Sequence, residues 1–245
     1  KPITYPDGYK PLDYDKKFRD VVLARRALAN SLNIPAVHVM ERVGIADTLE
    51  FAKQLGITSL TGDISSYGLS LVLGAGEVPL LQMVEAYNTF ANEGIRVMPT
   101  TIAQITDKRG NVVYTSDPDK RTVLSKEVAY IISSILSDNE ARSEIFGTSL
   151  NLSRPAAVKT GTTNDYKDAL TIGYTPQLTV GVWVGNNDNT PMDSIAGSLG
   201  AAPIWRQMME YFLKGKPIDR FTIPPSVLRV TVCKENGLRA ERATS

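Results

Sequence analysis

The sequence predicts a mixed α/β fold, an antiparallel sheet flanked by helices on both faces. Three observations point there. Apolar residues recur at helical spacing in two long stretches, Leu80, Met83, Val84, Tyr87, Phe90 and Ala91, then Val128, Ile131, Ile132, Ile135 and Leu136. Residues 178–185 alternate instead, with Val180, Val182 and Val184 on one side and Gly181, Trp183 and Gly185 on the other. The strand-forming runs 169–174 and 178–185 are separated only by Thr175-Pro176-Gln177, a turn that lays one beside the other.

Taken in order, residues 1–18 are rich in Tyr, Pro, Asp and Lys, and Pro2, Pro6 and Pro11 block a regular helix, so an extended surface segment is expected. A first helix follows over Val21–Asn30, with Leu23, Ala24, Ala27 and Leu28 on one side. It stops around Ser31-Leu32-Asn33, because Pro35 disfavours helix at Ile34 yet suits the first turn of the next helix, which runs to about Gly44. The polar triplet therefore falls at a junction between helices. It can face a cleft or simply cap Pro35-Ala36-Val37. Asp47 and Glu50 resemble a capping box opening a helix that stops at Gly56.

Gly62 to Gly76 is glycine-spaced and apolar and suits tight turning; its Gly74-Ala75-Gly76 has neither the Gly-Lys-Ser/Thr of a phosphate loop nor a dinucleotide fingerprint. A helix over 79–93, closed by Gly94, holds Met83 and Tyr87 as core. Glu77, Glu85 and Glu93 are expected at solvated or capping positions. A β-rich stretch covers 95–124, with strands at 101–106 and 111–115 around a turn at Asp107-Lys108-Arg109-Gly110. Ser125 caps a helix from Lys126 to about Asp138. Pro203 opens a last helix whose Ile204, Trp205, Met208 and Phe212 are expected to cover the sheet. Residues 1–215 are taken as the body, and 216–245, with Pro217, Pro224 and Pro225, as a C-terminal tail.

Composition removes several classes of function. A hydrophobic fraction of 42% and a charged fraction of 22% are those of a globular protein. Lys plus Arg number 27 against 26 Asp plus Glu, a net charge of +1 that gives no electrostatic case for nucleic acid. Cys233 is the single cysteine, so no intrachain disulfide can form. His38 is the single histidine, which excludes any multi-histidine metal site made by this chain. Asn186-Asn187-Asp188-Asn189 resembles a calcium loop in composition only. No metal or organic cofactor is expected.

Chemistry concentrates in Ala156-Ala157-Val158-Lys159-Thr160-Gly161-Thr162-Thr163-Asn164. Its β-branched residues favour a strand, and a glycine inside a strand lets another backbone approach closely. Lys159 and the threonine hydroxyls add a cation and donors beside that opening, which suits an extended substrate ending in a carboxylate and pairing along the edge. A lone Lys-Thr-Gly is more often an ordinary edge strand. Here it has a companion, since Ser31-Leu32-Asn33 is a Ser-x-Asn triplet, and serine acyl-transferases combine Ser-x-x-Lys, such a triplet and Lys-Thr-Gly.

On those motifs, and on the segments 26–38, 74–94, 155–169 and 181–192, the chain resembles the transpeptidase domain of class A penicillin-binding proteins from about Pro2 to about Ala240. No serine here is followed three positions later by lysine, so the family's nucleophile motif is missing, and Lys1 is expected to start a fragment. The resemblance implies that Lys159 and Ser31 work in proton transfer, and that Asn33 orients the missing nucleophile's lysine and bonds a substrate amide. It also implies that the Thr160 and Thr162 hydroxyls hold the carboxylate, that the Thr162 N–H is half of an oxyanion hole, and that Gly161 keeps the edge open. The implied activity is D,D-transpeptidation of peptidoglycan stem peptides ending in D-Ala-D-Ala through a serine acyl-enzyme, inhibited by β-lactams. An upstream glycosyltransferase domain, a membrane anchor and a place on the extracytoplasmic face of the bacterial cell membrane go with it. Two rivals remain open: a serine β-lactamase or D,D-carboxypeptidase, and a non-catalytic peptidoglycan-binding module that has lost the serine. The resemblance also implies further sheet strands from upstream.

Overall fold

The computed structural model describes residues 3–6, 8–163, 166–192, 198–233 and 237–239. Pro2 and Asn164, used above, lie outside the described residues. Helices α1 (Ala24–Ala29), α2 (Asn33–Val43) and α3 (Ile45–Gln54) come first, then 3₁₀ turns at Ile64–Ser66 and Leu69–Leu73, then α4 (Leu80–Ala91). Strands β1 (Ile95–Val97), β2 (Gln104–Thr106), β3 (Val112–Thr115) and β4 (Lys120–Thr122) follow, then α5 (Lys126–Leu136) and α6 (Ser143–Phe146). Strands β5 (Ala157–Thr162), β6 (Asp168–Thr175) and β7 (Leu178–Gly185) and helix α7 (Ala201–Leu213) complete the order.

The organising layer is the antiparallel sheet β5-β6-β7. Thr175 pairs with Leu178 across the two-residue loop, so the turn anticipated at Thr175-Pro176-Gln177 forms, and the Thr175 hydroxyl accepts from the Gln177 N–H at 3.2 Å. Residues opposite one another share a face. Lys159, Ile172 and Gly181 form one such row, and Ala157 opposite Tyr174 belongs to the same face. Helices α4 and α5 cover it: Tyr174 meets Tyr87 edge-on at 6.3 Å and packs with Leu136. Gly181 has no room for a Cβ, because Val84 and Leu80 of α4 occupy that space. Val158, Val180 and Val182 face the other way, onto Trp205, Met209 and Leu213 of α7. The result is a helix–sheet–helix sandwich, the mixed α/β arrangement expected.

Several elements differ from the sequence reading. The inward stripe of α7 is Ala201, Trp205, Met209 and Leu213, spaced four apart, with Ala202 beside them, while Ile204, Met208 and Phe212 face solvent. Two apolar stripes run along this helix, and the one whose N-terminal residues are alanines can approach the sheet at Gly173, where Trp205 lies. In α5 the small Ala129 and Ser133 turn inward with Ile135 and Leu136, leaving Val128 and Ile131 exposed. Ser125 caps α5 as expected, accepting the Val128 N–H at 3.3 Å.

Helix α3 starts before Asp47, at Ile45, and no side chain caps it, so the capping box is not formed. Glu85 is not a solvated carboxylate. It pairs with Arg96 at 2.6 Å and its side chain is 9% exposed, joining α4 to β1. Within the segment expected on the surface, Tyr5 and Asp13 are buried. After α7 the chain lies back on the body: Arg154 holds the Leu213 and Pro217 carbonyls, Phe221 meets Tyr174 edge-on at 5.7 Å, and Ser226 bonds Glu127 at 2.6 Å.

Candidate active site

The site begins at a strained corner. Between α1 and α2, Ser31 adopts φ 57°, a left-handed conformation that costs a non-glycine residue on the order of 1–2 kcal/mol. Such a residue persists only where its surroundings fix it. Buried Asn30 donates to the Ala141 carbonyl at 2.6 Å and accepts the Ile145 N–H at 3.1 Å. Arg25 of α1 reaches the Ser134 carbonyl of α5 at 2.9 Å. On the other flank, Asn33 donates through Nδ2 to the Leu12 carbonyl at 2.7 Å. Helix α2 has Leu32 at its N-cap and no local capping side chain, so the Ser/Asn cap that competed with a functional reading of the triplet is not made.

The second half of the site is β5, the edge of the central sheet; among the described residues no strand pairs with its outer side. Its start is tied to α5 by buried Arg142, which donates to the Leu136 carbonyl at 2.9 Å and the Ala156 carbonyl at 3.4 Å. The turn after it is braced by Asp168, which accepts from the Thr163 hydroxyl at 3.0 Å and the Trp183 indole at 2.7 Å. Successive strand residues face opposite ways. Lys159 and Gly161 therefore lie on the α5 face of the sheet, and Thr160 and Thr162 on the α7 face, Thr160 buried and Thr162 exposed.

The two halves meet in one contact. Lys159 donates through Nζ to Ser31 Oγ at 2.5 Å and to the Thr160 carbonyl at 2.6 Å. Residues 128 apart in the chain thus share a proton-carrying hydrogen bond. Desolvation pushes the Lys159 ammonium down to about 8, where it can give up or take a proton near neutral pH. Asn33 is turned to Leu12, so the structure brings Ser31 and Lys159 together and holds Asn33 on the Leu12 carbonyl. Gly161 has space: a Cβ there would meet only Leu170 Cβ, at 3.7 Å.

A pH signature follows. The folded chain binds the Lys159 proton more weakly than the unfolded chain, whose lysine titrates near 10.5. Stability should therefore rise as pH increases from about 8 to about 10, by about 1–2 kcal/mol after allowance for solvent. Above 10 the sign reverses, because burial raises Tyr87 to about 12 and Tyr174 higher still. Chemical denaturation at stepped pH should show the rise in the wild type and lose it in Lys159→Met.

Two features escaped the sequence reading. Asp13 and Asp168 sit in stretches without periodicity, and their partners are distant or across a turn, so neither carries a local signal. Threonine also offers one nucleophile-like spacing, Thr231 to Lys234 in the C-terminal segment, but Lys234 lies outside the described residues.

Known proteins similar to this chain identify its family. Residues 2–210 match the family described as "Penicillin binding protein transpeptidase domain". Penicillin-binding protein 1A of Aquifex aeolicus is 34% identical over 232 residues, covering 92% of this chain and 30% of that protein. Penicillin-binding protein 2D of Bacillus subtilis is 32% identical over 239 residues, covering 94% and 34%. The chain thus spans about a third of the length of these relatives. Among solved structures, penicillin-binding protein 1A from Haemophilus influenzae superposes with TM-score 0.84 at 25% identity, over 99% of this chain and 42% of that one. The PonA1 protein from Mycobacterium tuberculosis in complex with penicillin V gives 0.79 at 28% identity, over 91% and 67%.

Proposed function

Because the chain belongs to the penicillin-binding protein transpeptidase family, we propose that it supplies the proton-transfer and substrate-holding half of a serine D,D-transpeptidase. Its substrates are peptidoglycan stem peptides ending in D-Ala-D-Ala. The observation that carries this reading is the Ser31–Lys159 hydrogen bond beside the open edge of β5.

The donor strand lies along β5, its carboxylate drawn by the Lys159 charge and bonded by the Thr160 and Thr162 hydroxyls, with Gly161 leaving room for its backbone. The nucleophile is the serine of a Ser-x-x-Lys outside these residues, with Asn33 beside it. Attack forms a serine–carbonyl bond as the serine's proton passes to the lysine of its own motif, and puts negative charge on the carbonyl oxygen, which the Thr162 N–H helps to hold. The amide C–N bond then breaks, and the departing D-Ala nitrogen takes its proton from the Ser31 hydroxyl, which is replenished from Lys159. An amine of a second stem attacks the acyl-enzyme and returns a proton along the same path, while the motif lysine gives its proton back to the serine as the ester bond breaks and the new peptide bond forms. A β-lactam enters as the donor does and stops at the acyl-enzyme.

Lys159, near 8, is poised for both directions of transfer. A water in place of the acceptor amine would make the same site a carboxypeptidase. In the complete protein a glycosyltransferase domain and a membrane anchor accompany this part, on the extracytoplasmic face of the bacterial membrane. Among the described residues no helix is long and apolar enough to cross one.

The test is where penicillin lands. Intact-mass spectrometry with peptide mapping should find one adduct on the full-length protein, at the Ser-x-x-Lys serine, and none on the 245-residue chain. A stoichiometric adduct on Ser31 would instead make Ser31 and Lys159 a self-sufficient nucleophile and base, and would overturn the relay.

A further inference from the structure

The strained corner at Ser31 takes its support from far up the chain. Asp13 is 4% exposed, and its Oδ1 accepts the Ile34 N–H at 3.0 Å, in the first turn of α2. Neighbouring Leu12 receives the Asn33 amide through its carbonyl. Two bonds from adjacent residues thus fasten the first turn of α2 at consecutive positions, immediately after the left-handed Ser31. The opposite oxygen of Asp13 faces Arg19 at 3.4 Å. Arg19 is itself held by Asp15 at 2.8 Å and by Glu144 of α6 at 2.7 Å. Since α6 also carries the Ile145 N–H that Asn30 accepts, both flanks of Ser31 are referred to the same frame.

We infer that Asp13 is a positioning residue, supplying the missing cap of α2 and thereby holding the Ser31 hydroxyl on Lys159. The physical case is that an uncapped helix start and a left-handed serine both favour relaxation of the corner. Nothing local opposes that, because Leu32 at the N-cap has no capping group. With Asp13 in place the N–H of Ile34 is satisfied in a partly buried setting, and turning Ser31 away from Lys159 would break that bond. Asp13 touches neither Ser31 nor Lys159 in any bond described above; it acts through the backbone of α2. This inference deepens the proposed function, but its test does not depend on it.

The test is the rate at which acetic anhydride acetylates Lys159 in the full-length protein, followed by peptide mapping. A helix cap is worth about fivefold in the population of an opened corner. Asp13→Ala should label Lys159 about fivefold faster than wild type. Asp13→Asn keeps an acceptor oxygen for Ile34 and should label at the wild-type rate. Ser125→Ala removes a cap of the same kind from α5, so it controls for lost stability and should leave Lys159 unchanged. Asp13→Glu, which keeps the charge but displaces the carboxylate, should label faster and serves if Asp13→Ala does not fold. The inference is overturned if Asp13→Ala and Asp13→Glu label at the wild-type rate, if Ser125→Ala accelerates labelling equally, or if Asp13→Asn behaves as Asp13→Ala. Penicillin adducts on the full-length protein report on the proposed function separately, so either idea can fail alone.

Discussion

Gly161→Val should lower the second-order rate of β-lactam acylation of the full-length protein by about a hundredfold or more while leaving its stability within about 0.5 kcal/mol of wild type. Internal packing does not need a glycine there. A Cβ at 161 meets only Leu170 Cβ at 3.7 Å, an ordinary contact, and the backbone there is not left-handed. A β-branched side chain also suits a strand. What the added atoms obstruct is the space beside the outer edge of β5, where the proposed donor backbone lies. Stopped-flow acylation and a thermal melt on the same sample separate the effects. A steep fall in the melt would assign Gly161 to packing. No change in either would remove β5 from the site.

Gly173→Ala should do the reverse and unfold rather than inactivate. Gly173 lies opposite Val158 on β6, and a Cβ there would run into the Trp205 ring and sit 2.7 Å from the Ala157 carbonyl. Trp205 is fully buried between α7 and the sheet and cannot swing out without opening that layer. Overpacking of this kind costs about 1–3 kcal/mol and occasionally more, and the rigid ring and backbone carbonyl put this site at or above the upper end. Urea unfolding followed by tryptophan fluorescence should show the midpoint fall steeply. A loss below about 1 kcal/mol would mean that α7 is not seated on Gly173 as described.

These two glycines also mark what the sequence made legible. Elements specified by their own residues were readable: the run Leu178–Gly185 alternates and is a strand over those residues, and Ser125 caps α5. The mixed α/β class followed from the same local patterns. Orientation was harder. In α5 and α7 more than one apolar stripe competes for the interior, and the winner depends on where Ala129, Ala201 and Gly173 permit close approach, a property of two surfaces together. Side chains whose partners lie far along the chain were not readable at all. Glu85 became a buried ion-pair partner of Arg96, and Asp13 a cap for a helix 21 residues away. Ser31 and Lys159 were singled out as residue types in motifs, but nothing local announced the left-handed corner that presents one to the other.

The most direct measurement is the acylation rate of the full-length protein carrying Lys159→Met, compared with wild type at pH 7. Methionine fills a similar volume without the ammonium, and loss of a desolvated charge should leave the melt unchanged or slightly raised. If the Ser31–Lys159 pair carries the proton for the departing nitrogen, penicillin acylation should fall by about 10²–10⁴-fold. An acylation rate within about twofold of wild type, with the fold intact, would contradict the account.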